Sequence, residues 1–335
     1  MTPKPWLLGK TVDELTEIAL ELGMRRFIGA QLAEWLYKKK VDSFDKMTNL
    51  SAKFRAVIAE KYDVGGFQPS TTQTSLDFTE KYLFPSLIGG EIETVYIPDK
   101  DRATLCISSQ RGCRMRCKFC MTGRMGFHHN LNAGEIIGQI LRTPKTDEIT
   151  NVVLMGMGEP LDNPAVFKAL EIMTAAWGFA WSPTRITLST IGVIPALEKF
   201  LNETKVHLAI SLHNPIESER ETMMPAQRKN NISQIIAMLK KYDFAHQRRL
   251  SFEYIMFNEI NDTPEHLAEL IKMLKPLDCR VNLIRFHAIP NSDYKGSPHS
   301  KIQEFNQALN HAGIRTTTRS SRGEDIFAAC GMLAN

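Results

Sequence analysis

The run Cys113-Arg-Met-Arg-Cys117-Lys-Phe-Cys120 constrains this chain more than any other stretch. Thiolates bind iron–sulfur clusters, and a Cys-x3-Cys-x2-Cys loop is short enough to wrap one cube. Three thiols for four irons leave one iron without a protein ligand. An open coordination position is what a catalytic metal centre keeps and a structural one closes. Zinc is the competing metal, yet no fourth Cys or His follows at zinc-ligand spacing. His128 and His129, after Gly126-Phe127, do not repeat a finger pattern. Six cysteines in 335 residues are too few for a disulfide framework.

The rest of the composition describes an ordinary globular chain, 43% hydrophobic and 23% charged. No apolar run approaches the roughly 20 residues that span a bilayer. The first apolar stretch is short and soon meets Asp13 and Glu14, unlike a signal peptide. A cytoplasmic protein with reduced cysteines is expected. A net charge of +4 does not by itself announce nucleic acid. Its distribution says more. Between Arg102 and Gly134 there is no acid, but Arg102, Arg111, Arg114, Arg116, Lys118 and Arg124 are present. Such a segment suits a polyanionic substrate, or balances an anionic thiolate cluster. Arg25-Arg26 and Lys38-Lys39-Lys40 form a second basic region, although lysines also favour helix C-termini.

Read in order, residues 1–63 are helical. Thr11-Val-Asp-Glu14 is a capping box before the stripe Leu15, Ile18, Ala19 and Leu22. Ile28, Leu32, Trp35 and Leu36 form a second stripe, and Trp35 and Leu36 read as core rather than a base-stacking face. Ser51 opens a third helix. Residues 64–98 carry Gly65-Gly66, a hairpin pattern and the strand Glu91–Pro98. Glu93 lies in that strand and, taken alone, reads as solvated. From residue 99 to 335, strands and helices alternate. The strands are Ala103–Ser108, Asn151–Met155, Arg185–Ser189, Val206–Leu212, Leu250–Phe257 and Val281–Phe286. The alternation predicts an α/β fold, a partial (β/α)6 barrel with a small helical accessory domain. Chemistry in such a barrel sits at the C-terminal ends of the strands, and the cysteine triplet follows the first. Gly158-Glu159-Pro160 follows the second strand, Ser189-Thr190 the third, Ser211-Leu212-His213 the fourth and His287 the sixth. Several polar groups in register around one mouth are a stronger signal than any one alone. Cys279 reads as a small buried hydrophobe, and Cys106 or Cys330 alone would read the same way.

The triplet with its aromatic residue resembles the signature of the radical S-adenosylmethionine superfamily. Over nearly the full length, the chain resembles the RlmN family of RNA adenine-C2 methyltransferases. The matching segments are Glu93-Thr-Val-Tyr-Ile-Pro98, Arg102 to Gln110, Gly112 to Phe127, Met155 to Pro160, Leu188 to Gly192, Ile210 to His213, Asn282 to Arg285, and Arg322 to Gly331. His129, His287 and Met332 stand where Arg, Asn and Gln are usual. The resemblance implies a radical SAM core with a C-terminal catalytic cysteine segment and a helical domain that binds RNA. It implies one [4Fe–4S] cluster on Cys113, Cys117 and Cys120, and two S-adenosylmethionine molecules per turnover. One methylates Cys330, and the other yields a radical that activates the S-methyl group. Adenine C2 is a poor nucleophile, which makes a radical route necessary. Glu93 is implied as general base, and Cys106 as the thiol that releases product through a disulfide. Gly158, Glu159, Ser189, Ser211, Leu212, His213 and His287 are implied as cofactor contacts. The implied partners are 23S rRNA, tRNA and a low-potential electron donor such as flavodoxin or ferredoxin, acting on a monomer without a membrane.

Three other readings compete. A related adenine-C8 methyltransferase shares the cluster and both cysteines. A non-catalytic RNA-binding iron–sulfur protein has no use for paired Cys106 and Cys330. A glycyl-radical activating enzyme has no need of Cys330.

Overall fold

The computed structural model describes residues 4–246 and 248–334, so the first three residues of the expected helical module lie outside it. Helix α1 (Val12–Glu21) starts where the capping box requires. Glu14 N donates to Thr11 Oγ1 at 3.2 Å, and Thr11 N donates back to Glu14 Oε2 at 2.7 Å. Helix α2 (Ile28–Ala33) does not continue regularly. It widens into a π-helical turn over Glu34–Lys38, with Trp35, Leu36 and Tyr37 buried. Helix α3 (Ala52–Lys61) is capped by Ser51, which accepts from Phe54 N.

This module is sewn to the rest of the chain. The guanidinium of Arg142 donates to the carbonyls of Lys40, Val41 and Gly65. Gly9 (φ +89°) lies so near Gly134 that an added Cβ would sit 2.1 Å from its nitrogen. Lys40 also pairs with Asp147 at 2.6 Å.

Three strands then form an antiparallel ribbon: β1 (Thr71–Thr74), β2 (Glu80–Pro85) and β3 (Glu91–Asp99). Strand β4 (Arg102–Cys106) pairs antiparallel with β3. A small separate hairpin, β5 (Gln110–Gly112) and β6 (Phe127–Asn130), brackets the cysteine loop and the short helix α4 (Met121–Arg124). After these come α5 (Ala133–Leu141), β7 (Asn151–Leu154), α6 (Ala165–Thr174), β8 (Ile186–Thr190), α7 (Ile194–Glu203), β9 (His207–Ser211), α8 (Glu217–Met223), α9 (Ile232–Leu239), β10 (Leu250–Met256), α10 (Pro264–Leu274), β11 (Arg280–Arg285), α11 (His299–His311) and β12 (Arg315–Arg319).

All strands but β5 and β6 form one sheet, ordered β1-β2-β3-β4-β7-β8-β9-β10-β11-β12. It is parallel from β4 onward. The six strands expected from the alternation are present, and β12 adds a seventh parallel strand. Its sequence, Arg-Thr-Thr-Thr-Arg, lacks the apolar run of a buried parallel strand because it lies at the sheet edge. Central β10 is buried along its whole length. Residues of β3 and β4 (Ile97, Asp99, Arg102, Thr104) line one cavity with residues of β12 (Thr317, Thr318, Arg319). The sheet therefore curls until its first and last parallel strands face one another across an unpaired gap.

Candidate active site

Cys113 follows β5, and its N–H donates to the carbonyl of Gly126 in the turn before β6. Arg116 takes a left-handed conformation (φ +54°), which turns the loop between Cys113 and Cys117. Cys120 sits at the start of α4. Burial pushes the Cys113 thiol up to about 12 and raises those of Cys117 and Cys120. Opposing it, the N–H of Met115 faces Cys113, and the N–H groups of Gly123 and Thr122 face Cys120. Buried thiols with such donors hold their protons until a metal replaces them.

The three thiols line a single cavity of about 140 Å³, shared with Gly158, Glu159, Ser189, Ser211, His213 and Cys330. Among the described residues, no three His, Cys, Asp or Glu side chains converge as the ligands of a single ion do. Three thiols lining one cavity can each take one iron of a cube. The donor set thus fits a four-iron cluster with one iron left open.

The strand ends supply the rest of that cavity. Gly158 (φ +98°) packs where an added Cβ would lie 2.5 Å from Gln110 Cβ, so only glycine lets this loop close onto β5. Glu159 is 3% exposed. Burial pushes its carboxyl up to about 7, against the Thr190 hydroxyl and the N–H groups of Ile191 and Leu161, which lower it. It has no ion-pair partner among the described residues, so a ligand cation would find a prepared acceptor. His213 (φ +55°) stacks edge-on to Phe119 at 5.1 Å. Its Nδ1 accepts from Ile255 N at 3.1 Å, and burial with the nearby Arg220 cation lowers the imidazole to about 3. The ring is neutral.

Arg220, which sequence reasoning missed, explains how these strand ends are held. It is fully buried and donates to the carbonyls of Leu212 at 3.0 Å and Ser211 at 2.9 Å, and to Gln227. An arginine in the helix after Ser211-Leu212-His213 carried no pattern by which to single it out. Leu212 does not line the cavity. Its side chain is buried in the core, and its carbonyl serves Arg220.

Cys330 is exposed and lines two cavities, the one holding the thiols and the one in the gap between β4 and β12. Arg319, at the end of β12, also lines both. Cys330, Glu253 and Cys106 raise its guanidinium against burial, and its Nη1 lies 3.8 Å from Glu253 Oε2. Cys106 ends β4, buried, and lines neither cavity. Burial, with Cys330 nearby, pushes its thiol up to about 12.

His287 lines the gap cavity rather than the one with the thiols. Its Nε2 bonds the Ser321 hydroxyl at 2.8 Å, and its Nδ1 lies 3.1 Å from Glu324 Oε1, outside hydrogen-bond geometry. Glu93 departs from its sequence reading as a solvated strand residue. It is 2% exposed and ion-paired to Lys81 at 3.1 Å. The cations of the acid-free segment divide. Arg114 rests on the Phe127 ring and pairs with Asp162, while Arg124 donates to the carbonyls of Pro290 and Asn291. Arg116 and Lys118 stay exposed beside them in a groove along the cysteine loop.

With this geometry in hand, comparison with known proteins is decisive. The profile described as "Radical SAM superfamily" matches residues 107–274. That described as "Ribosomal RNA large subunit methyltransferase N-terminal domain" matches residues 6–64. A "Probable dual-specificity RNA methyltransferase RlmN" of Phocaeicola vulgatus is 53% identical over 334 residues, covering 99% of this chain and 96% of that protein. The chain belongs to the RlmN family. The Marinobacter nauticus "Dual-specificity RNA methyltransferase RlmN" is 41% identical over 98% of this chain and 92% of its own. A solved radical SAM methyltransferase from Sphaerobacter thermophilus superposes with a TM-score of 0.92 at 35% identity, over 98% of both chains. The split sheet is thus a radical SAM methyltransferase fold, and RlmN membership implies a four-iron cluster and S-adenosylmethionine as cofactors.

Proposed function

We propose that this chain methylates carbon 2 of adenosine in 23S rRNA and tRNA, with Cys330 as the methyl carrier. The observation that carries the reading is the place of Cys330, on the wall between the thiol-lined cavity and the gap open to solvent. A sulfur there touches a cofactor on one side and an incoming base on the other. Cys113, Cys117 and Cys120 hold one cluster per chain, which with S-adenosylmethionine supplies the carbon radical that an aryl C–H carbon demands.

The chain's own residues do the rest. Glu159 accepts the ammonium of the cofactor, and Ser189, Ser211 and neutral His213 line its site. Arg220 fixes the strand ends on which they stand. Leu212 contributes through its backbone, and His287 acts from the gap side. Cys106 waits on β4 for the sulfur of Cys330, and Glu93 takes the proton from the base. Two S-adenosylmethionine molecules are used per turnover. Exposed Arg116 and Lys118 suit a phosphate backbone, as do Arg25, Arg26, Lys38 and Lys39 on the helical module of residues 1–63. Lys40 is committed to Asp147. The protein acts as a cytoplasmic monomer with a low-potential flavodoxin or ferredoxin. Among the described residues no helix is long and apolar enough to cross a membrane. The dual-specificity name of relatives at 50–53% identity favours carbon 2 over carbon 8.

The test is one anaerobic turnover on labelled RNA, read on a denaturing gel. Cys330→Ala should neither methylate nor form an adduct. Cys106→Ala should trap RNA covalently on Cys330 and fail to release it. Free turnover by Cys330→Ala would overturn the mechanism, and mass spectrometry against isomer standards separates carbon 2 from carbon 8.

A further inference from the structure

The buried ion pair between Lys81 and Glu93 is costly for a fold to keep. Removing two charges from water carries a desolvation penalty that their attraction must first offset, and apolar residues of similar volume often serve a core as well. Here the side chains are 8% and 3% exposed, with Lys81 Nζ 3.1 Å from Glu93 Oε1. Strand register explains the contact. Lys81 of β2 lies opposite Val95 of β3, so its side chain shares a face with Val95 and, two residues along, with Glu93. Val95 is in turn opposite Cys106 of β4, which puts Glu93, Lys81 and Cys106 on one side of the sheet.

The pair is also incomplete. A structural ion pair satisfies both carboxylate oxygens, yet Glu93 Oε2 is buried without a hydrogen-bond partner. The backbone of Glu93 is fixed independently: its carbonyl accepts from the Ser108 hydroxyl at 2.6 Å and its N–H points at Met157 Sδ. Burial raises the carboxyl, while Lys81 and the N–H of Ala334 pull it down. Among the described residues, Lys81 is the charged group and the Ala334 N–H the neutral donor that lower it.

We propose that Lys81 is a positioning residue for the methylating centre: its ammonium holds one oxygen of Glu93 and keeps the carboxylate charged, so that Oε2, buried and outside both cavities in this structure, can receive a proton from the purine once RNA opens the site. The inference rests on the functional reading above. In this step the C–H proton passes to Oε2, the bonding pair stays on the purine, and no oxidant enters. Without Lys81, Glu93 ionises at higher pH, so release of the RNA adduct should slow at neutral pH and recover as pH rises.

The experiment uses the full-length, anaerobically reconstituted enzyme with labelled RNA, and follows decay of the Cys330 adduct between pH 6 and 9. Lys81→Gln should release product at least tenfold more slowly than the parent at neutral pH, with its acidic limb moved upward by a unit or more. Lys81→Arg should restore both. Unchanged release and an unchanged pH profile in Lys81→Gln, with Glu93→Gln still trapped, would overturn this inference alone. Slower release with the parent's pH profile would also overturn it, because that is a packing effect. Free release by Glu93→Gln would instead sink the base role assigned to Glu93. Should Lys81→Gln not fold, infrared difference spectra of parent against Glu93→Gln decide. A carboxylate band at neutral pH is expected, and a protonated carboxyl band overturns the proposal.

Discussion

The hydroxyl of Thr122 donates to the carbonyl of Leu333 at 2.6 Å, joining residues 211 positions apart. Beside it, Met121 N donates to Gly331 O at 2.8 Å. The short helix after Cys120 therefore holds the segment that carries Cys330. Further back, Asp325 accepts from the Ser75 hydroxyl and Leu76 N, and Gly323 N donates to Asp77, so Cys330 is strung between two anchors. Thr122→Val removes one bond and leaves a carbonyl unpaired, a local loss of about 1–2 kcal/mol. Hydrogen exchange over residues 328–334 should speed up and methylation should slow several-fold. Unchanged exchange would show that the bond does not restrain the segment.

Glu159→Gln keeps the shape of the side chain and the Oε1 acceptor for Thr190 and Leu161, but loses the charge and the Oε2 acceptor for Ile191 N. Affinity for S-adenosylmethionine, measured by calorimetry, should fall about tenfold to a hundredfold, the value of one charge-assisted hydrogen bond. Unaltered affinity would place the ammonium elsewhere.

Arg142→Met should detach the helical module. It leaves the carbonyls of Lys40, Val41 and Gly65 without their shared donor. A cost of about 3 kcal/mol follows from several buried acceptors left open. Urea unfolding should show an early transition absent from the parent. A single transition at the parent's midpoint would rule out this role.

His207 supplies the pH dependence. Burial lowers its imidazole to about 4, helped by Arg249, Arg248 and Arg280. Its Nδ1 accepts from Arg249 N at 2.8 Å. The folded value lies below the unfolded one, so the contribution is complete above about pH 6.5 and is lost as pH falls toward 4, on the order of 1–3 kcal/mol. The melting temperature of His207→Asn should therefore fall less between pH 7 and 5 than the parent's. An equal fall would assign the acid sensitivity to other groups.

What could be read in advance was whatever has a period or a fixed spacing. The triplet, the capping box and the strand–helix alternation are local patterns, and each of the six apolar parallel strands is present. Strand β12 was not legible, because an edge strand of three threonines between two arginines looks like a loop. The β5–β6 hairpin was hidden because its three- and four-residue strands flank a loop already read for its cysteines. The burial of Glu93 is not legible, because strand sequence does not reveal that Lys81 lies diagonally across the next strand. Arg220 and Arg319 escaped for the same reason, since their partners are assembled only by the fold. The separation of His287 from the thiol-lined cavity likewise depends on how far the sheet curls.

The two free borders of the ten-stranded sheet have a consequence for how this chain behaves in a crowded solution. One border, Thr71–Thr74, is polar and fully exposed. At the other, the side chain of Asn310 lies against Thr316 and does the work of a neighbouring strand. Its Oδ1 takes the Thr316 N–H at 3.1 Å, and its Nδ2 gives a hydrogen bond to the Thr316 carbonyl. Asn306 adds donors to the same carbonyl and to the Thr318 hydroxyl. An unpaired parallel strand is a template on which a second chain can grow. Two asparagines on one helix blunt that template, so the gap beside Cys330 can stay open without inviting another copy to add a strand there.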